Sequence, residues 1–248
     1  MRPTSSHLGF LLIPRVLLAA ALVVAACHLV DVSLTTDWQH ENYFRDLFDM
    51  GQEANLPTWF SSVLWATVCI AASLCYSTTS GLPRAKRVPW LMIATAFGVA
   101  SLDEVAELHE NIGHVVHQAQ LATGNPHYLH DGSPGSPWIL IYLPFLVAAA
   151  LFFTAFLWNN LPRRYFWMVC AGFACFALAI GCDYFQGLWG QNKMAIVNAL
   201  HMKKDDLVYG SIFLEENLEN IGTIFFAWAF FGKYQKYKDA SAAAAEPS

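Results

Sequence analysis

Six long apolar segments constrain the fold of this chain more than any other feature. Each is close to or above the roughly 20 residues that a helix needs to cross the hydrocarbon layer of a bilayer. Lipid offers the backbone no hydrogen-bond partners, so we expect every segment to be a helix. The segments are residues 10–34, 57–77, 89–115, 137–158, 165–187 and 207–232. The expected fold is all-α: one domain over residues 1–238, an integral membrane bundle of six transmembrane helices, followed by a disordered Ala-rich tail at 239–248.

The composition supports a membrane protein and excludes some partners. Hydrophobic residues make up 56% of the chain and charged residues only 13%, whereas an average soluble domain is about one quarter charged. The net charge of -5 and the absence of a glycine-rich phosphate loop argue against nucleic acid as a partner. The six cysteines all lie in apolar segments, and Cys27 ends a Val-Ala-Ala-Cys stretch that is typical of lipoprotein cleavage sites. Whether Cys27 is lipidated stays open.

The basic residues predict the orientation of the bundle. The opposite loops hold Arg45, Lys193, Lys203 and Lys204, the last two offset by Asp205 and Asp206. The other basic residues lie before or at the start of the first segment, after the last one, and in alternate loops, which the positive-inside rule places in the cytoplasm. These residues are Arg2, Arg15, Arg84, Lys86, Arg87, Arg163, Arg164, Lys233, Lys236 and Lys238. Both termini are therefore expected to be cytoplasmic, in the inner membrane of a bacterium.

With this topology, the acidic residues and histidines inside the membrane all fall in the outer leaflet. They are His28 and Asp31, then Asp103, Glu104, Glu107, Glu110, His114 and His117, then Asp183, and finally Glu215, Glu216 and Glu219. If the third segment is one continuous helix, several of its members form a stripe about 80° wide. That stripe holds Asp103, Glu107, Glu110, His114 and His117, whereas His109 points elsewhere.

A charged side chain inside a bilayer costs several kcal/mol, so these carboxylates should face the bundle interior and find positive charge. The six segments contain no Lys or Arg except Arg15, at the opposite end. A divalent metal is the simplest other source of positive charge. Carboxylates and histidines on facing helices hold dinuclear iron or manganese in four-helix bundles, although no strict Glu-x-x-His pair occurs here; zinc is the second choice.

The predicted metal ligands are Glu107, Glu110, His114, Glu215, Glu216 and Glu219. Glu104, Asp103 and Asp183 are predicted to handle protons as catalytic residues. The predicted function is a metal-dependent oxidoreductase or hydrolase that acts on an amphipathic small molecule from the periplasmic side. Three alternatives stay open: a proton or cation pathway, a noncatalytic metal-binding or assembly subunit, and a haem held by two histidines. Residues 37–53 form an amphipathic stretch that either covers the site or simply connects two helices.

Two resemblances accompany these residues. The pair SLDEVAELHE at 101–110 and LEENLENIG at 214–222 resembles motifs of a family of uncharacterised bacterial multi-spanning membrane proteins, and implies no known reaction. A fainter similarity is to alkaline-ceramidase-like membrane hydrolases, which implies zinc held near Ser101, Asp103, His114 and His117. Those hydrolases have seven spans and a His-x-x-x-His pair in a late helix, and the last segment here has no histidine.

Overall fold

A computed structural model describes residues 9–34, 43–109, 111–112, 115, 118–119, 137–201 and 204–245, and seven helices are bounded within that part of the chain. The described residues between 108 and 119 are helical as well. Within that part of the chain no strand is present. The helices are α1 (Gly9–Leu34), α2 (Tyr43–Phe48), α3 (Leu56–Ser77), α4 (Arg84–Ala106), α5 (Pro137–Asn160), α6 (Arg163–Leu200) and α7 (Lys204–Ala245). The all-α expectation is therefore confirmed for the residues described.

Five of these helices are long and apolar enough to cross a membrane. The candidate spans are Gly9–Ser33, Leu56–Ser77, Arg84–Ala106, Ile141–Asn160 and Arg163–Tyr184. The remaining long helix, α7, carries Glu215, Glu216 and Glu219 in its first half, ahead of an apolar stretch that begins at Ile221. A sixth crossing by α7 and the cytoplasmic placement of both termini stay predictions.

The long helices alternate in direction around α7, which packs against α1, α3 and α6. Ring contacts from Phe10 to Phe231 and from His28 to Phe213 make α1 antiparallel to α7. The bundle thus has two ends with different chemistry. The acidic end is the level at which α4 finishes and Asp183 of α6 lies near Glu219 of α7, and the basic end is the level at which α4 and α6 begin.

The ends of α3 and α4 at the acidic end follow from local sequence. The Asn55 side chain accepts the backbone N–H of Thr58 at 3.2 Å and caps the start of α3, with Pro57 in its first turn. Helix α4 ends at Ala106 because Glu107 adopts the left-handed conformation with φ 51°. The expectation of one unbroken helix from 89 to 115 is therefore wrong at Glu107. The predicted stripe of side chains from Asp103 to His117 required an unbroken helix, so the stripe is interrupted at Glu107 as well.

The basic half of the bundle is a dry core. Val68 and Ala71 of α3, Trp90 of α4, and Phe226 and Phe230 of α7 are all at most 2% exposed. Trp90 meets Phe230 edge to face at 5.4 Å between ring centroids, a geometry that aromatic pairs prefer. Among the residues that the structure describes, the centre of the basic half is therefore closely packed and mainly apolar.

Helices α6 and α7 approach closely where α7 has glycine. A Cβ built on Gly232 would overlap the edge of the Tyr165 ring, and one on Gly222 would lie 2.9 Å from a ring carbon of Phe176. Small residues let membrane helices approach so closely that the backbone of one packs against the side chains of the other. This van der Waals packing holds helices together in lipid, where the hydrophobic effect does not. Beyond the bundle, α7 continues as a helix to Ala245. Residues 239–245, which were expected to be disordered, are therefore helical, because this segment is rich in alanine, the residue with the highest helix propensity.

We predict that Gly232→Ala destabilises the protein, because the added methyl group collides with the Tyr165 ring. Overpacking of a core costs about 1–3 kcal/mol, which outweighs the gain of roughly 1 kcal/mol from replacing a helical glycine. The matched control is Gly181→Ala in α6, where nothing lies within 4 Å of the new Cβ. Thermal unfolding in detergent should show a lower midpoint for Gly232→Ala and an equal or higher one for Gly181→Ala. Equal stability of the two variants would contradict the close packing.

Candidate cation site at the acidic end

Carboxyl groups from four parts of the chain gather at the acidic end. The Glu216 carboxyl interacts electrostatically with those of Glu219, Glu104, Glu215 and Glu53. The Glu219 carboxyl interacts with those of Glu104, Glu215, Asp183 and Glu53. We call these six residues the carboxylate cluster: Glu53, Glu104, Asp183, Glu215, Glu216 and Glu219. Its members come from the segment before α3, from α4, from α6 and from α7.

An aromatic layer lies directly beneath the cluster. Trp65 of α3 contacts Phe97 of α4 at 5.5 Å and Phe176 of α6 at 5.1 Å between centroids. Phe226 of α7 closes the ring of contacts, at 5.3 Å from Phe97 and 6.0 Å from Phe176. We call these four residues the aromatic layer.

The cluster and the aromatic layer are in register on three helices. Glu104 follows Phe97, Asp183 follows Phe176, and Phe226 follows Glu219, in each case by seven residues. Seven residues make nearly two helical turns, which is a rise of about 10.5 Å and a rotation within roughly 20° of the same face. Each helix thus presents one ring and one carboxyl to the same side, so the contacts between the rings place the three carboxyls at one depth.

Neutral polar side chains fill the space between the two layers. The Ser61 hydroxyl donates to Asn220 Oδ1 at 3.0 Å, joining α3 to α7. The Ser62 hydroxyl donates to the Ser101 carbonyl oxygen at 2.8 Å, joining α3 to α4. These bonds lie one turn or less from Glu219 and Glu104. Polar contacts therefore extend from the cluster to the aromatic layer, where the dry core begins.

Residues 49–55, which we call the strap, lie over the acidic end of α1 and α7. The buried backbone N–H of Met50 donates to His28 Nδ1 at 3.1 Å, and the His28 ring stacks on Phe213 at 5.7 Å. The Asn217 amide lies 3.7 Å from the Met50 sulfur. His28 Nδ1 also lies 3.3 Å from the Phe48 carbonyl oxygen, so this nitrogen contacts backbone groups on both sides of Asp49. His28, which is 1% exposed, thereby fixes the strap that brings Glu53 to the cluster.

A second acidic feature forms where α4 ends. The Asp103 carboxylate accepts the His109 backbone N–H at 3.0 Å and lies 2.9 Å from His109 Nδ1. The left-handed conformation of Glu107 turns the chain back so that this pair can form. The expectation that His109 points away from the acidic residues is therefore wrong. Glu104, three residues before Glu107, is the α4 carboxyl that interacts with Glu216 and Glu219.

The predicted site residues thus fall into three groups. Glu104, Asp183, Glu215, Glu216 and Glu219 come together in the carboxylate cluster, while Asp103 pairs with His109 and Glu107 forms the turn. Glu110, His114 and His117 lie outside the residues that the structure describes. Among the described residues, no three His, Cys, Asp or Glu side chains are arranged to hold a metal ion.

Sequence analysis missed Glu53 as a member of the cluster and His28 as the acceptor that holds the strap. Glu53 precedes the helix cap at Asn55, and the Thr58 hydroxyl donates to its carboxylate at 3.0 Å. The capping pattern before α3 is a local signal that Glu53 lies at the same level as the start of that helix. The seven-residue spacing from ring to carboxyl was a second signal, which becomes readable only once the three helices are known to face each other.

The fold is that of a helical protein with five candidate membrane spans. The carboxylate cluster lies toward one end of these spans. The chain belongs to the family described as a domain of unknown function, DUF8692, whose model matches residues 16–232. This agrees with the resemblance to an uncharacterised family. No curated protein and no solved structure matches the chain, and the similarity to alkaline-ceramidase-like hydrolases gains no support from the comparisons.

We predict that His28→Phe loosens the strap, since phenylalanine keeps the ring contact with Phe213 but removes the acceptor for Met50 N–H. Leaving a buried donor unsatisfied costs about 1–3 kcal/mol, which corresponds to roughly 5- to 150-fold faster amide exchange. Hydrogen exchange followed by mass spectrometry should show this increase in residues 49–55 and no change at the basic end of α3. The control is His28→Asn, whose side-chain oxygen can replace Nδ1 as acceptor. Equal protection of the strap in wild type and His28→Phe would rule out this role for His28.

Proposed function

We propose that the protein binds a divalent metal ion at the carboxylate cluster, within the outer leaflet of a bacterial inner membrane. The observation that carries the proposal is the electrostatic interaction of Glu216 and Glu219 of α7 with Glu104 of α4, and of Glu219 also with Asp183 of α6. Like charges this close repel strongly where the dielectric constant is low, so the cluster needs positive charge or protons. The apolar segments 89–115, 165–187 and 207–232 contain no Lys or Arg, and the nearest lysines of α6 and α7 at this end, Lys193 and Lys204, lie ten residues or more along the chain from Asp183 and Glu215.

The placement of the site supports binding rather than passage across the membrane. On the way to the basic end the polar contacts stop at the aromatic layer, and below it lie Val68, Ala71 and Phe230, all at most 1% exposed. Within the described part of the chain, this mainly apolar core offers little support for an ion or proton that would move onward from the cluster. A cluster bounded on one side by an apolar core is compatible with a binding or catalytic site.

The described residues do not form a complete metal site by themselves, so the proposal includes Glu110 and His114 as further ligands. Glu216 and Glu219 are the proposed carboxylate ligands on α7, with Glu104 and Asp183 close enough to influence the bound ion. Iron or manganese suits a ligand set richer in carboxylates than in histidines, and zinc is the second choice. Bound there, the metal would supply either Lewis-acid chemistry for hydrolysis or redox chemistry for oxidation.

The membrane orientation in this proposal follows from the basic end. Arg87 lies over the Tyr76 ring and Arg163 over the Trp158 ring, so cations and amphipathic rings share this level. Aromatic rings with a polar edge are enriched at membrane interfaces, and basic residues at the cytoplasmic one. The carboxylate cluster then faces the periplasm.

A proton-binding cluster without metal is the second candidate. The observation that favours it is the lack of three metal-binding side chains in a suitable arrangement within the described part of the chain. In that case some carboxyl groups of the cluster are neutral and share protons, which removes the repulsion without an ion.

Elemental analysis of the purified protein separates the two candidates. We predict about one or two equivalents of a transition metal per chain, as a mononuclear or dinuclear site requires. The variants Glu216→Gln and Glu219→Gln keep the shape of the side chain but remove a carboxylate, and each should lose most of the metal. Asp46→Asn, on the exposed surface of α2, is the matched control and should keep it. A metal-free protein, or equal metal content in all four samples, would rule out the metal site and favour shared protons.

A further inference from the structure

Basic residues outnumber acidic ones at the basic end of the bundle. Among the described residues of α4, α6 and α7 at this level, Asp239 is the one carboxyl group, and it accepts the Gln235 side-chain amide at 2.7 Å. One carboxylate balances little of the positive charge there, so anions from outside the described chain must balance the rest. The basic residues are Arg84, Lys86, Arg87, Arg163, Arg164, Lys233, Lys236 and Lys238.

Two of these cations are half-buried where α3, α4 and α7 meet. The Arg87 guanidinium donates to the Tyr76 hydroxyl of α3 at 3.0 Å and lies 5.1 Å from the centroid of the same ring. The Lys233 ammonium of α7 lies 5.4 Å from the centroid of the Trp90 ring. Trp90 follows Arg87 by three residues, which is less than one helical turn. Both cations therefore lie beside the first two turns of α4.

The protein leaves Arg87 short of acceptors. A guanidinium has more N–H donors than a single tyrosine hydroxyl can accept. Its Nε is buried and meets no acceptor among the described residues. Burial of a charged donor without an acceptor costs free energy, which an anion against the guanidinium would recover in part. The start of α4 adds further donors, because Pro83 occupies the N-cap and provides no side-chain hydrogen bond.

An exposed apolar stripe of α4 begins beside these cations. Arg84 is exposed and lies four residues before Val88, on the same side of the helix. Around the helix, Arg87 lies between Arg84 and the buried Trp90, about 60° from each. The stripe continues toward the acidic end at helical spacing, and its apolar members are between 46% and 68% exposed. They are Val88, Met92, Val99 and Leu102.

We propose that the start of α4 binds an anionic phospholipid from the leaflet at the basic end. The phosphate lies against Arg87, Lys233 and the first backbone N–H groups of α4, and the acyl chains lie along the exposed stripe from Val88 to Leu102. A phospholipid uses both the cations and the adjoining apolar surface, whereas free phosphate would use only the cations. A zwitterionic lipid gains less, because its own cation is repelled by these groups. This site is independent of the carboxylate cluster at the opposite end.

The test uses the full chain in detergent and native mass spectrometry with two lipids of equal acyl chains, dioleoylphosphatidylglycerol and dioleoylphosphatidylcholine. We expect a single saturable site for the glycerol lipid and at least roughly fivefold weaker binding of the choline lipid, since each Lys or Arg near anionic lipid contributes about 1 kcal/mol. Arg87→Gln and Lys233→Gln should each weaken binding of the glycerol lipid by a similar factor and leave that of the choline lipid unchanged.

The matched control is Lys238→Gln, which removes the same charge at the same end. Lys238 lies over the Phe10 ring of α1, away from α4, so this variant should bind the glycerol lipid as wild type does. Unfolding midpoints are measured on the same samples, because Arg87→Gln also removes the bond to Tyr76. If that variant is less stable, Lys233→Gln provides the test, since its ammonium contacts only the Trp90 ring among the described side chains.

Three results would overturn the inference. Equal binding of the two lipids would show that the head group is not recognised. An equal loss in Lys233→Gln and Lys238→Gln would indicate attraction by net charge rather than a site. Displacement of the glycerol lipid by inorganic phosphate at the concentration of the lipid would identify a site for soluble anions. We expect phosphate at that concentration to leave lipid binding unchanged.

Discussion

The electrostatic contact between Glu216, Glu219 and the carboxyl groups around them is the constraint on which the rest of the structure depends. Carboxylates repel one another, and the repulsion grows as water is removed. A bundle that brings such groups together from α4, α6 and α7 loses stability unless something positive or a proton is bound there. The packing that holds them in place must therefore be strong, and it is supplied by apolar contacts nearer the basic end.

The aromatic layer supplies that packing and also determines the depth of the site. Trp65, Phe97, Phe176 and Phe226 lock four helices together through ring contacts of 5.1 to 6.0 Å. The seven-residue spacing then carries this alignment two turns further to the carboxyls of Glu104, Asp183 and Glu219. Gly222 contributes by leaving room for the Phe176 ring. The same rings separate the carboxylate cluster from the basic end. The aromatic layer therefore both positions the cluster and bounds it on one side.

The sequence predicted the helices well and the local geometry of the site less well. Long apolar segments identify helices because the backbone must satisfy its own hydrogen bonds in lipid, and five candidate spans confirm this for most of the chain. The end of α4 was not predictable from periodicity, because a left-handed residue such as Glu107 leaves no mark in a pattern of apolar and polar residues. The pairing of Asp103 with His109 follows from that turn and was missed with it. Glu53 was taken as part of a connection, since its distance from α7 depends on how His28 holds the strap.

Anomalous X-ray diffraction from crystals soaked in Mn²⁺ tests the central claim most directly, because it locates the ion without reference to any activity. The account predicts an anomalous peak between α4, α6 and α7, within metal–carboxylate distance of Glu216 and Glu219, roughly 10 Å above the aromatic layer. Manganese bound only at the protein surface, with these carboxyl groups turned away from one another, would contradict it.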